Sequence, residues 1–218
     1  MFGSFPDHGP SAHPIHPGSF PDHGLSSHPI NPGSFPGLGP SSHPKNPGSN
    51  NIPYLRFMKI KVGFGFDVHQ MKAGHPFVVG GVTLDHHAGA FGHSDADVLA
   101  HAICDAILGA ANLEDIGYHF PNTEDRWKGA NSLDLLRHCI KLIKDKGFEL
   151  GNIDGMLCLE APKIKPYIPQ MKANIAEAAG ISVEDVSIKA TTNEQMGFIG
   201  REEGVVAYAV CLLEKTNY

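Results

Sequence analysis

The sequence predicts an α+β fold, a small mixed β-sheet with helices packed on one face. Two observations carry this. Apolar periodicity runs strand, strand, helix, helix, strand, helix, strand, strand, and each helical segment has one apolar stripe to bury. Composition then sets the boundary. Residues 1–57 hold 12 of the 17 prolines, no cysteine and few aliphatic side chains. From Met58 onward the chain reads as a globular domain of about 160 residues, enough to bury roughly two-thirds of its unfolded surface.

Alternation in Lys59–Phe66 and the run Phe77–Leu84, both punctuated by glycine, suggest two strands joined by a loop. A helix follows from about Asp95 to Ala110, with Ser94 as N-cap and Asp97 three positions on. The segment "NSLDLLRHCIKLIKDKG", 131–147, is an amphipathic helix that opens at an Asn/Ser cap and ends at Gly147. "NIDGMLCLE", 152–160, reads as a strand, and 167–180 as a helix closed by Gly180. Residues 186–192 and 204–215 complete the strands.

Residues 3–17, 18–32 and 33–47 are three copies of one 15-residue unit, beginning "GSFPDHG" in the first two. A unit this rich in proline and poor in apolar side chains cannot offset chain entropy with a core, so a disordered tail is expected. Its six histidines (His8, His13, His16, His23, His28 and His43) offer metal binding as the competing reading. Because "MKIKVGFGFDVH" needs nothing upstream, Met58 is expected to be a natural start or a cleavage-tolerant boundary.

The formal net charge of −6 falls entirely in residues 58–218. No basic surface is on offer, which argues against nucleic acid as a partner. A polyanionic substrate would need cations or backbone amides. Cys104, Cys139, Cys158 and Cys211 are widely spaced, with no CxxC pair, and read as buried free thiols in a reducing compartment. No apolar run is long enough to span a bilayer, and no signal or transit peptide is recognisable. A cytoplasmic location is expected.

The chemistry-bearing residues fall in a few short stretches. "GFDVH" puts Asp67 and His69 on one strand face. "HSDADVLAHAICDAILGA", 93–110, carries Asp97, His101 and Asp105 four apart down an otherwise apolar helix. His101 could join Asp67 and His69 in a three-ligand site of the catalytic zinc type, or be a hydrogen-bonded core histidine. Asp97 and Asp105 could orient that imidazole, and a helix-packing hydrogen bond competes for Asp105. His93 and Ser94, before the helix, could hold an anion at its N-terminus, where plain capping by Ser94 is the alternative. "KATTNEQMGFIGREEG", 189–204, sets Thr191, Thr192, Glu194 and Arg201 in a glycine-rich loop. Its hydroxyls suit phosphate and Glu194 suits Mg²⁺, against a bare hairpin loop. Lys163 in "EAPKIKP" suits a phosphate or remains a solvated lysine.

These motifs, with "DIGYHFP" and "APK…P…IPQM", occur in order and at matching spacing from Met58 to about Lys215. Together they resemble the 2-C-methyl-D-erythritol 2,4-cyclodiphosphate synthase family. The resemblance implies a lyase-type cyclisation of 4-diphosphocytidyl-2-C-methyl-D-erythritol 2-phosphate with release of CMP, in non-mevalonate isoprenoid synthesis. It implies one Zn²⁺ per subunit on Asp67, His69 and His101, and Mg²⁺ or Mn²⁺ at Glu194, bound with the substrate diphosphate. It makes His93 and Thr192 catalytic and Ser94 a phosphate contact. Ala161, Pro162 and Lys163 would bind cytidine, with Thr191 close to the phosphates and Asn193 a further substrate contact. Asp115, Ile116 and Gly117, with Phe120, Pro121, Asn122, Thr123 and Glu124, would line the methylerythritol part. It further implies a homotrimer with active sites between subunits, and a central cavity at Phe66, Phe198 and Arg201 where an isoprenoid diphosphate can lodge. Asn122 and Glu124 stand where the family often has aspartates, and Asn193 and Ile199 where it often has threonine. None of these is an expected metal ligand. Two rival functions are a metal-dependent phosphohydrolase using the same triad and a metal-binding protein working through the tail.

Overall fold

The computed structural model describes residues 59–216. The three repeats, their histidines and the boundary at Met58 lie outside the described residues. Five strands form one mixed sheet in the order β4-β1-β7-β5-β6. These are β1 (Ile60–Ala73), β4 (Ala88–Phe91), β5 (Phe148–Cys158), β6 (Val186–Thr191) and β7 (Gly204–Lys215). Only β5 and β6 run parallel, joined across helix α4 (Ile168–Ala179). The remaining long helices are α1 (Val98–Ala111) and α3 (Ser132–Asp145).

The single strand expected over Phe77–Leu84 is a separate two-stranded hairpin, β2 (Phe77–Val79) and β3 (Val82–Leu84). Gly80 and Gly81, at φ +56° and +69°, turn the chain between them. Two consecutive left-handed residues are what a two-residue hairpin turn requires, so the apolar run folds back on itself. β1 is longer than its alternating core suggested and carries Asp67 and His69 within its paired stretch, opposite Ala207 and Val205 of β7. β4 and two one-turn helices, α2 (Ile116–His119) and α5 (Gly197–Gly200), had no periodic signal long enough to read.

α1 also starts later than expected. Its N-cap is Asp97, not Ser94: Asp97 Oδ1 accepts from the Ala100 N–H at 3.1 Å. Oδ2 accepts from the Gly81 N–H at 2.7 Å, so one fully buried carboxylate ties the hairpin turn to the helix start. Burial pushes this carboxyl above the ordinary value, and the N–H donors pull against that.

The two faces of β1 are unlike. Gly63 and Gly65 face α1 and are buried, while Ile60, Val62, Phe64, Phe66 and Val68 alternate on the far face and stay exposed, Phe64 at 64 %. A Cβ on Gly63 would sit 1.8 Å from the Ala106 carbonyl oxygen, and one on Gly65 1.9 Å from that of Ala102. Glycine is required here by close approach, since any side chain would collide with helix backbone. Ala102, Ala106 and Ala110 supply the matching small stripe on α1. Of the cysteines, Cys104, Cys139 and Cys211 are buried and Cys158 is partly so, all free thiols. Burial pushes the Cys211 thiol up to about 12.

Gly65→Ala is expected to cost at least about 1–3 kcal/mol, the usual penalty of overpacking. Because the obstacle is backbone, α1 must shift off β1, so divalent-ion binding should fall together with thermal stability. Denaturation and ion content measured on the same preparation check both.

Candidate active site

The α1–β1 contact delivers three ligands to one point. Asp67 and His69 lie two apart on the helix-facing side of β1, and His101 descends from the first turns of α1. Asp67 Oδ2 is 3.0 Å from His101 Nδ1 and 3.1 Å from His69 Nε2, and the two nitrogens are 3.1 Å apart. Ligand atoms at 2.0–2.1 Å from a tetrahedral zinc would stand about 3.3 Å from each other. One carboxylate and two imidazoles converge at nearly that spacing, so the donor set fits such an ion. Burial alone would raise the Asp67 carboxyl; hydrogen bonds from His101 and His69, with their charge, reverse this and hold it far below the usual range. Burial lowers the His101 imidazole, and Asp67 more than compensates, leaving it raised.

His101 is oriented by Ser94 and by two residues the sequence did not point to, Ser132 and Asp95. Its Nε2 lies 2.8 Å from Ser132 Oγ and 3.0 Å from Ser94 Oγ. Ser132 Oγ donates a short hydrogen bond to Asp95 Oδ1, and Asp95 Oδ2 accepts from the Ser132 N–H at 3.0 Å. With the Ser132 proton committed to Asp95, its oxygen accepts from Nε2–H. With Nε2–H so engaged, Nδ1 is the nitrogen left to face Asp67 and His69, and its lone pair would be the one to ligate a metal ion. Ser132 had read only as part of a helix cap, a task Asn131 performs by accepting from the Leu133 N–H.

Asp97 and Asp105 therefore do not orient the imidazole. Asp97 faces the hairpin, and Asp105 Oδ1 accepts from the Ile116 N–H at 2.7 Å, fastening α2 to α1. Nor is the α1 N-terminus an open anion site. Asp97 occupies it, and His93 and Ser94 sit in the preceding loop, with Ser94 turned towards His101.

A cleft of ≈ 310 Å³ opens beside the triad. It gathers His69, His93, Ser94 and His101 with Ile116, Gly117, Phe120 and Asn122. His93 Nε2 donates to the Glu124 carbonyl at 3.4 Å, while the Glu124 carboxylate pairs with Arg126. Asp115 caps α2 by accepting from the Tyr118 N–H, and Pro121 and Thr123 continue the same loop. Trp127 also lines the cleft, and its Nε1–H is buried without a partner, a donor the sequence did not flag.

Four more of the expected residues line a second cleft of ≈ 460 Å³, between the loop after β5 and the end of β6. Pro162, Lys163, Thr191 and Thr192 line it; Ala161 adjoins it. The two clefts share no lining residue. Thr192 Oγ donates to Glu194 at 2.9 Å, and the Asn193 N–H donates to Glu160 Oε2 at 3.2 Å. Glu194 joins no cluster of three metal-binding side chains among the described residues. Phe198 lies on α5, and Arg201 pairs twice with Glu203, at 3.0 and 2.9 Å. On the exposed face of β1, Phe66 packs against Tyr208 at 5.3 Å between ring centres.

Known proteins resemble this chain over its described residues. The YgbB family model matches residues 60–214. The protein of Cytophaga hutchinsonii named 2-C-methyl-D-erythritol 2,4-cyclodiphosphate synthase is 61 % identical over 158 residues, 72 % of this chain and 99 % of the relative. A protein of the same name from Bacteroides fragilis is 56 % identical with the same coverage. Among solved structures, the bifunctional IspDF of Campylobacter jejuni superposes with a TM-score of 0.70 at 41 % identity, covering 72 % of this chain and 43 % of that larger one. IspF of Plasmodium falciparum, in a CDP complex, gives 0.65 at 32 % identity over 72 % and 97 %. With a model match across most of the chain and relatives covered end to end, the chain belongs to the YgbB family, among proteins named 2-C-methyl-D-erythritol 2,4-cyclodiphosphate synthase.

Proposed function

We propose that this chain is an enzyme converting 4-diphosphocytidyl-2-C-methyl-D-erythritol 2-phosphate to 2-C-methyl-D-erythritol 2,4-cyclodiphosphate, releasing CMP, in the non-mevalonate isoprenoid route. The observation that carries the reading is the convergence of Asp67, His69 and His101 beside His93 in one cleft, in a chain 61 % identical to a synthase of that name. The active domain is residues 58–218, with the repeat tail standing apart from the chemistry, and the enzyme works in the cytoplasm.

The 2-phosphate oxygen attacks the β-phosphorus, the bond from that phosphorus to the bridging oxygen breaks, and CMP leaves with the electron pair. Nucleophile and electrophile belong to one molecule. The protein's task is to hold them in line and offset charge, which is why no nucleophile–base pair is needed. Zn²⁺ on Asp67, His69 and His101 would supply Lewis-acid polarisation of a phosphoryl oxygen. Mg²⁺ or Mn²⁺ needs only one or two carboxylates when substrate phosphates complete its shell, so Glu194 beside the Thr192 hydroxyl suits that role. His93 and Ser94 would face the phosphoryl groups, and the Thr192 hydroxyl, which here donates to Glu194, would be the donor on the transferring group. Ala161, Pro162, Lys163, Thr191 and Asn193 hold the CMP half. Asp115, Ile116, Gly117, Phe120, Pro121, Asn122, Thr123 and Glu124 enclose the methylerythritol half.

A homotrimer accounts for two features at once. The separate clefts suit a site completed by a neighbouring subunit, and the exposed apolar face of β1 and β7 suits burial at a central axis. Phe66, Phe198 and Arg201 there could receive an isoprenoid diphosphate.

Incubating the full chain with the cytidylyl substrate in ¹⁸O-water should yield CMP and the cyclic diphosphate without solvent oxygen. Free phosphate carrying ¹⁸O would instead mark a phosphohydrolase and end this reading. His101→Ala should lose the ion and turnover together, whereas Thr192→Ala should keep the ion and substrate affinity but lower kcat about 10²–10³-fold. Metal analysis beside steady-state kinetics separates the two. Phe64→Asp, on the exposed face, should sediment as a monomer where the native chain is trimeric, with CMP release down by more than ~10-fold.

A further inference from the structure

We propose that His86, His87 and Glu202 form a second binding site for a divalent transition-metal ion, independent of the triad on β1 and α1. The three residues come from places far apart in sequence: the connection from β3 to β4, and the turn between α5 and β7. His86 Nε2 lies 3.0 Å from Glu202 Oε2, and His87 Nε2 lies 3.9 Å from the same oxygen. All three ligand atoms lie within 4.8 Å of one another. The imidazoles have ring centres 4.2 Å apart and are inclined at 55°, so both Nε2 atoms can approach one oxygen.

A plain His–Glu hydrogen bond would need only one imidazole. Here His86 is held with its side chain 10 % exposed, its ring beside Phe77, while His87 is 71 % exposed. The His87 ring lies against that of His86 and turns its Nε2 towards the Glu202 carboxylate, its ion-pair partner among the described residues. Glu202 itself sits at φ +57°, a left-handed backbone that glycine adopts without strain and glutamate does not. That conformation closes α5, with the Glu203 N–H donating to the Phe198 carbonyl and the Glu202 N–H to that of Ile199, and the same turn carries the Glu202 carboxylate to the imidazoles.

Two imidazole nitrogens and one carboxylate oxygen favour zinc, copper or nickel over magnesium or calcium. Three protein ligands with an open, solvent-facing side leave room for water to complete a tetrahedral shell. No ligand is shared with Asp67, His69 or His101. An ion here would fasten the β3–β4 connection to the turn that follows Phe198 and Arg201, a clamp between two loops and not part of the reacting centre.

Zinc is the probe. Full-length native chain, His87→Ala, Glu202→Gln and His101→Ala are each equilibrated at one buffered free-zinc level, and bound zinc per chain is measured. Zinc taken up by the tail histidines is common to these and to the combined variant below, and cancels in the differences. The proposal expects His87→Ala and Glu202→Gln each to hold one ion fewer than the native chain. It also expects His87→Ala combined with His101→Ala to hold two fewer. His87 is exposed, so its substitution leaves the fold intact, and circular dichroism verifies this. Native zinc content in either His87→Ala or Glu202→Gln overturns the proposal. So does a combined variant that loses no more than His101→Ala alone.

Discussion

Everything at the metal-binding cleft depends on how closely α1 lies on β1. The distance is set by Gly63 and Gly65, whose missing side chains let the carbonyls of Ala102 and Ala106 come down almost onto the strand. The strand advances two residues for roughly each turn of helix, so the contact stays in step along its length. At the end of this seam the two elements carry Asp67, His69 and His101 instead of glycine and alanine. The ligands meet because the backbone has nowhere else to put them.

The second layer of control is hydrogen bonding from elements outside the seam. Asp95, in the loop before α1, and Ser132, the first residue of α3, together decide which nitrogen of His101 carries its proton. Asp97 fixes where α1 begins, and Asp105 fixes α2 against it. Four polar residues between Asp95 and Asp105 thus serve four different ends: a ligand in His101, its orientation in Asp95 acting through Ser132, a hairpin anchor in Asp97 and a helix anchor in Asp105. Such groups are tolerated in an apolar surrounding only because each has a partner. The acidic balance of the domain fits a polyanionic substrate on the same terms, with local donors and cations in place of a basic surface.

Much of this was legible in the sequence, and what was hidden has physical reasons. Asp67 and His69 declared themselves because strand spacing forces i and i+2 to one side. His101 did so because a titratable residue in an apolar helix stands out. The long helices α3 and α4 were readable from caps and closing glycines. The hairpin at Phe77–Leu84 was not, because a short continuous apolar run looks like one strand until its two glycines take left-handed φ. Asp95 and Ser132 were hidden because a serine at a helix start reads as a cap, and only the fold brings the two together. β1 misled in a subtler way. In an ordinary alternating strand the large apolar residues point inward; here the glycines do, and Val62, Phe64 and Phe66 are left outside.

That inversion bears on how the chain is made. β1 lies in the sheet between β4 and β7, and most of its ladder is with β7, from Ile60 opposite Glu214 to Gln70 opposite Gly204. On a ribosome, β1 emerges first among the described strands, and although β4 can pair its last four residues early, most of its length waits for β7. Its greasy outward side chains are exposed throughout that interval, with Tyr208 and Val210 still to be synthesised. Such long-range pairing is slow. The finished sheet, the ion-binding corner and the sticky outer face must therefore appear in one late step, so a chaperone that shields the early strand would guard all three.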